Sequence, residues 1–130
     1  FTADISRALA NPRHRMAFIK ASSYGAGTES SGKLNVSGLE KIDLKGKRVL
    51  LVDDILDTGN TLSTLVSMLK SAGADSIRTC VLMNKEDRRT VDFHADFVGF
   101  EIKNEFVVGY GLDYNEDYRT LPDIWTLIEA

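Results

Sequence analysis

An α/β fold, in which helices flank a mostly parallel, twisted sheet, is what this sequence predicts, and three stretches predict it. The first is Arg48-Val49-Leu50-Leu51-Val52, an apolar run without polar alternation, as in a central strand covered on both faces. It stops at Asp53-Asp54 and passes through Asp57-Thr58-Gly59-Asn60-Thr61 into Leu62, Leu65, Val66 and Leu69, whose i, i+3, i+4, i+7 spacing marks one face of a helix. The second stretch, Ile77 to Met83, is apolar enough for another buried strand, and the intervening helix makes the two strands parallel through a right-handed crossover. The third, Phe97-Val98-Gly99-Phe100-Glu101-Ile102, predicts a further buried strand.

The remaining elements follow in chain order. Phe1, Ile5, Ala8 and Leu9 share a helical face, and Asn11-Pro12 ends that helix. Met16-Ala17-Phe18-Ile19-Lys20 predicts a short buried strand. From Ser22 to Gly38 the chain is rich in Ser, Gly and Thr, the composition of a surface linker or a loose hairpin. Leu44-Lys45-Gly46-Lys47 turns into the Arg48 strand, and the helix after Thr61 ends at Ala72-Gly73-Ala74, with Gly73 just past its C-terminus. Asn84-Lys85-Glu86-Asp87-Arg88-Arg89 reads as a solvated charged turn, apart from Lys85, which stands where strand passes to loop on the same rim as Asp57. Phe106 to Tyr110 should continue toward that rim, and Ile124 to Ile128 reads as a closing strand.

Composition removes several classes of function. The 130 residues suit one domain, residues 1–130, with a modest core. A net charge of −3 offers no basic face for duplex binding, so nucleic acid is not an expected partner. The single cysteine, Cys80, forms no internal disulfide and reads as a small core residue. Without an apolar run of membrane-spanning length or a signal-peptide pattern, no membrane partner is expected and the cytoplasm is the expected setting.

The loop after the Arg48 strand carries the chemistry. It lies at the carboxyl end of a parallel strand, where open α/β sheets bind ligands. Gly59 permits positive φ, and the hydroxyls of Thr58 and Thr61 sit beside amides at a helix N-terminus, so the loop makes an anion pocket for a phosphate monoester. It is too short for the nucleoside-triphosphate loop and lacks its lysine. Asp53 and Asp54 suit a hydrated magnesium ion or a pair of vicinal hydroxyls, which together with a phosphate describe a ribose phosphate.

These residues resemble a known signature. Val52 to Thr61, two acids followed by D-T-G-x-T, is similar to the phosphoribosyl pyrophosphate motif of the type I phosphoribosyltransferases. Asp96 to Ile102, Phe106 to Glu116 and Lys20-Ala21-Ser22-Ser23-Tyr24 resemble hypoxanthine-guanine phosphoribosyltransferases, so the likeness runs over nearly the whole chain. It implies the type I phosphoribosyltransferase fold, phosphoribosyl pyrophosphate and a 6-oxopurine base as substrates, a purine mononucleotide as product, Mg2+ as cofactor and a homo-dimer or tetramer. By the same likeness the first sheet strand and its pyrophosphate loop precede the helix at Phe1 and are absent from the chain, which is then N-terminally incomplete.

The resemblance also distributes roles. Residues 22–38 become a flexible lid with Ser23 and Tyr24 near its base, excluding water from a cationic ribosyl transition state. Asp53 and Asp54 hold the ribose hydroxyls; Asp57, Thr58, Gly59, Asn60 and Thr61 grip the 5′-phosphate. Asp57 is the candidate general base, its ordinary pKa near ~4 raised by partial burial. Lys85 bonds the exocyclic purine oxygen, Phe106 stacks on the ring, and backbone carbonyls at Val107 and Asp113 read its edge. Asp113, with Asp53 and Asp54, is a candidate metal ligand, and Arg119 pairs with pyrophosphate; without the likeness, Asp113 and Arg119 read as a surface ion pair. Glu105 departs from the family, which carries a basic residue beside the stacking aromatic.

Two other classes compete. A strand ending in Val-Asp-Asp also opens phosphoacceptor receiver domains, but those place the acid pair after their first strand and do not continue into D-T-G-x-T. The second is a non-catalytic module that binds a ribose phosphate or nucleotide with the same fold.

Overall fold

The computed structural model describes residues 1–23 and 34–128. Its centre is a parallel three-stranded sheet of β3 (Arg48–Leu56), β4 (Ser76–Asn84) and β5 (Phe97–Glu101), in the spatial order β3-β4-β5. Arg48 lies opposite Ser76 and Leu56 opposite Asn84, so β3 and β4 end together. Glu101 pairs with Asn84 at the same end of β5, which aligns three carboxyl termini on one rim.

Helix α2 (Asn60–Ser71) makes the crossover from β3 to β4. Its apolar stripe, Leu62, Leu65 and Leu69, is buried. Leu62 joins Leu56 and Val81 in a cluster against which Leu51, Phe93 and Ala95 pack. Burying a leucine of this kind stabilises the fold by roughly 2 kcal/mol, which fixes the helix, and the loop before it, against the sheet.

The central strand is β4 rather than the expected Arg48 run. Every residue from Thr79 to Asn84 is buried, whereas β3 is exposed or half-buried up to Leu56, its one buried residue, because β4 is its one neighbour among the described residues. For the same reason β5 is not the buried strand expected: Phe97 and Phe100 are 55% and 59% exposed. Cys80 lies within β4, and burial raises its thiol pKa.

Around the sheet the chain is less regular. Helix α1 (Thr2–Leu9) buries none of its residues, and its Asp4 accepts a hydrogen bond from the Tyr110 hydroxyl. The buried strand expected at Met16 to Lys20 is displaced. Pairing begins only at β1 (Lys20–Ser23), which runs antiparallel to β2 (Leu34–Ser37), and Met16 and Phe18 stay 54% and 76% exposed because no described strand lies beside them. The two strands frame the segment expected to act as a lid; residues 24–33, Tyr24 included, lie outside the described residues.

At the C-terminal end, the strands expected at Phe106 to Tyr110 and at Ile124 to Ile128 shrink to an antiparallel pair, β6 (Val107–Val108) and β7 (Trp125–Thr126). Two consecutive tight turns cut the ladder short. Tyr110 and Gly111 both have positive φ between the mutually bonded Gly109 and Leu112, and Asn115 and Glu116 do the same between Tyr114 and Asp117. No helix among the described residues is long and apolar enough to cross a membrane.

Candidate active site

The rim where β3, β4 and β5 end gathers most of the residues that the sequence singles out. Gly59, φ 88, is the N-cap of α2 and has no side chain with which to cap it. The first turn contains no acidic residue. The leading amides of a helix have no partners within it, so this end of α2 presents N–H groups and the positive end of the helix dipole to an anion.

A clamp from the opposite side fixes the loop. The Thr58 carbonyl accepts hydrogen bonds from the Thr90 amide at 3.0 Å and its hydroxyl at 3.3 Å. Asn60 Nδ2 donates to the hydroxyls of Thr90 at 3.0 Å and Thr58 at 3.3 Å. Thr61 and Asp53 line a cleft of about 310 Å³ between β1, β3 and α2.

Asp57 opens the loop, and its carboxylate accepts a hydrogen bond from Arg88 Nε at 2.8 Å. The charged turn is therefore not simply solvated: its Arg88 reaches back to the candidate base. Asp57 keeps 38% of its side chain accessible, the partial burial expected for it. Lys85 stands immediately after β4 and is tied to the end of β3 through its amide, which donates to the Leu56 carbonyl at 2.9 Å.

Asp53 and Asp54 differ in environment. Asp53 is half-buried, Asp54 exposed. Burial, and then the neighbouring Asp54 charge, push the Asp53 pKa up to about 6, offset only in part by the Asp54 amide, which donates to Asp53 Oδ1 at 3.0 Å. The folded state thus keeps a proton that the unfolded chain loses near pH 3.8, so this group's contribution to stability falls between pH 4 and pH 6. Asp53→Asn should raise the thermal unfolding midpoint at pH 8, relieving at most about 3 kcal/mol, and leave it unchanged near pH 3.5. Equal midpoints for variant and wild type at pH 8 would count against the charge penalty.

The other predicted residues form a second group. Phe106 is half-exposed and meets Tyr114 edge-on, ring centroids 5.5 Å apart, and Val107 is partly buried in β6. The tight turns curl Asp113 against Arg119: Nη2 lies 3.0 Å from Asp113 Oδ1, Nη1 donates to the Gly111 carbonyl at 3.0 Å, and the Glu116 amide donates to Asp113 Oδ2 at 2.9 Å. No hydrogen bond or ion pair among the described residues joins this group to the Asp57 loop.

Nor do Asp53, Asp54 and Asp113 converge as one metal site, since no group of three or more His, Cys, Asp or Glu among the described residues could hold a cation. Arg119 already neutralises Asp113. Magnesium, however, commonly takes one or two carboxylates and completes its shell with phosphate oxygens and water. The adjacent Asp53 and Asp54, with charge repulsion unrelieved by any cationic partner among the described residues, fit that role.

Sequence reasoning passed over Asn84, Arg88, Arg89, Thr90 and Glu101, which brace the loop. One signal was present: Asn84 is a polar residue ending an otherwise apolar buried strand, and buried polar groups need partners.

Comparison with known proteins extends the geometry. Residues 1–115 match the family model described as phosphoribosyl transferase domain. The chain is 48% identical over 108 residues to the hypoxanthine-guanine phosphoribosyltransferase of Aquifex aeolicus, covering 83% of this chain and 61% of the relative. It is 42% identical over 128 residues to the hypoxanthine phosphoribosyltransferase of Salmonella typhimurium, covering 98% and 71%. A solved structure of the Trypanosoma cruzi hypoxanthine phosphoribosyltransferase, a ternary substrates complex, superposes with a TM-score of 0.88 at 45% identity, covering 98% of this chain and 70% of that one. The chain spans about three fifths of the length of the Aquifex and Streptococcus pneumoniae relatives. A glycine-capped helix behind an acid pair, on a parallel sheet shared with these enzymes, has one consistent assignment: the chain belongs to the phosphoribosyl transferase domain family.

Proposed function

We propose that the protein transfers a phosphoribosyl group from phosphoribosyl pyrophosphate to N9 of hypoxanthine or guanine. The C1′–O bond to pyrophosphate breaks and the pyrophosphate leaves with the electron pair. N9 forms the new C1′–N bond, the purine N7 proton passes to Asp57, and the product is IMP or GMP. The observation that carries this reading is the glycine-capped N-terminus of α2 set directly behind Asp53 and Asp54, which suits a ribose and its 5′-phosphate.

Each residue then has a task. The amides and hydroxyls from Thr58 to Thr61 hold the 5′-phosphate, a remote group whose binding energy fixes the reacting carbon in line with the base. Asp53 and Asp54 hold the ribose hydroxyls and favour positive charge at C1′. Asp53 and Asp54, or Asp113, would hold magnesium, which would supply positive charge against the departing pyrophosphate. Arg119 turns from Asp113 to the pyrophosphate oxygens, Lys85 bonds the purine oxygen, Phe106 stacks on the ring, and the carbonyls of Val107 and Asp113 read its edge. Residues 22–38, with Ser23 and Tyr24, close over the centre as a lid, so that residues 1–130 work as one domain, in a cytoplasmic homo-dimer or tetramer.

A binding module without turnover is the second reading. The Arg88–Asp57 ion pair favours it, because it occupies the carboxylate that has to accept the proton. Phosphoribosyl pyrophosphate and Mg2+ offered with hypoxanthine, guanine, xanthine, adenine and orotate separate the two. Turnover with hypoxanthine or guanine supports the enzyme. Tight IMP binding without turnover supports the module, and neither result leaves the phosphate cup without a ligand.

A further inference from the structure

We propose that Arg89 is a positioning residue for the 5′-phosphate, setting the depth of the anion cup from beneath Gly59 without touching the ligand; this rests on the phosphate site proposed above. Gly59 is buried, and the space where a Cβ would stand is closed 2.9 Å away by Arg89 Cδ and 2.9 Å away by Val91 Cγ2. The arginine stem is therefore the floor on which the loop rests.

Two bonds lock that floor. Arg89 Nη1 donates to the Phe93 carbonyl at 2.6 Å, and Nη2 donates to Asn84 Oδ1. Asn84 Nδ2 in turn donates to Glu101 Oε2 at 2.8 Å, so one polar chain runs from β5 through the end of β4 to the back of the phosphate loop. The guanidinium meets carbonyl oxygens rather than a carboxylate, and its charge is uncompensated by a direct ion pair among the described residues. Its buried Nε–H, next to the carbon under Gly59, has no acceptor there. A planar two-armed donor is needed to hold both acceptors at once, which a lysine cannot do. An uncompensated cation beneath the cup also favours an anion within it, because a partly buried charge is less screened than one in open water.

The test compares IMP with inosine, which differ only in the phosphate, by equilibrium titration of the protein. Wild type should bind IMP far more tightly than inosine. Arg89→Met should shrink that ratio about tenfold or more, the order expected when a nearby, incompletely screened positive charge is removed, with inosine affinity unchanged; Arg89→Lys should fall between. Asn84→Ala, which frees one arm of the fork, should shrink the ratio in the same direction and add little to Arg89→Met in the double variant. A purely structural role would lower the unfolding midpoint and leave the ratio intact. If Arg89→Met does not fold, Asn84→Ala and Arg89→Lys decide, and a wild-type ratio in both overturns the inference. A wild-type protein that does not distinguish IMP from inosine overturns the phosphate cup itself.

Discussion

Asp57→Asn will lower the rate of phosphoribosyl transfer by about two orders of magnitude or more, the contribution of a positioned general base, while IMP binds the variant about as tightly as the wild type. The substitution is nearly isosteric, and the amide oxygen can still accept the hydrogen bond that Arg88 Nε makes at 2.8 Å, so the loop keeps its shape. It loses only the capacity to take a proton. Single-turnover rates set against equilibrium IMP affinities separate the two effects, because loss of a step made only in the transition state lowers the rate without touching ground-state binding. Equal losses in both would assign Asp57 to binding and remove it from the chemistry.

Gly109→Ala carries the largest expected cost to stability. Gly109 has φ 90, and a Cβ added there would stand 2.1 Å from the Asp123 carbonyl oxygen and 3.2 Å from Leu121 Cβ. Neither contact can be relieved by swinging a flexible side-chain tip, since the nearest atom belongs to the backbone. Left-handed strain and a displaced main chain together should cost about 3 kcal/mol or more. The damage should be local in kind: β6, β7 and the two tight turns hold Phe106, Asp113 and Arg119, so purine affinity falls with the unfolding midpoint. Chemical denaturation beside a base-binding titration checks this. An unchanged denaturation midpoint would mean that the 109–123 contact is looser than described.

What was legible in the chain followed from local pattern. Val49 to Val52 and Ile77 to Met83 are apolar runs that identify strands, Leu62, Leu65 and Leu69 repeat a helical period, and the parallel order follows from the crossover between them. Strand position in the sheet was not legible. Val49 to Val52 reads as a strand covered on both faces, yet β4 is central, because burial depends on neighbours that the run itself does not specify. The same holds for Phe97 to Glu101, and for Met16 and Phe18, which are apolar but uncovered.

The site divides in the same way. The D-T-G-N-T loop could be placed because Gly59 and the helix after it leave a local mark. Its bracing could not. Arg88 reaches Asp57 across a sequence separation of 31, Thr90 meets Thr58 across 32, and Asn84 joins Glu101 across 17. Charged residues in a row look solvated when only their immediate neighbours are considered. The pairing of Asp113 with Arg119 lies between these extremes: the residues were identified together, and two consecutive turns with four positive φ angles bring them into contact.

Cys80 gives the fold a built-in clock. As the sole thiol of the chain, 7% exposed in the middle strand and with its pKa raised by burial, it should react with an alkylating reagent mainly when the packing around it opens. Labelling speed is then a count of how often the interior opens, obtained without any engineered reporter, and a ligand that closes the rim would be visible as a slower tick.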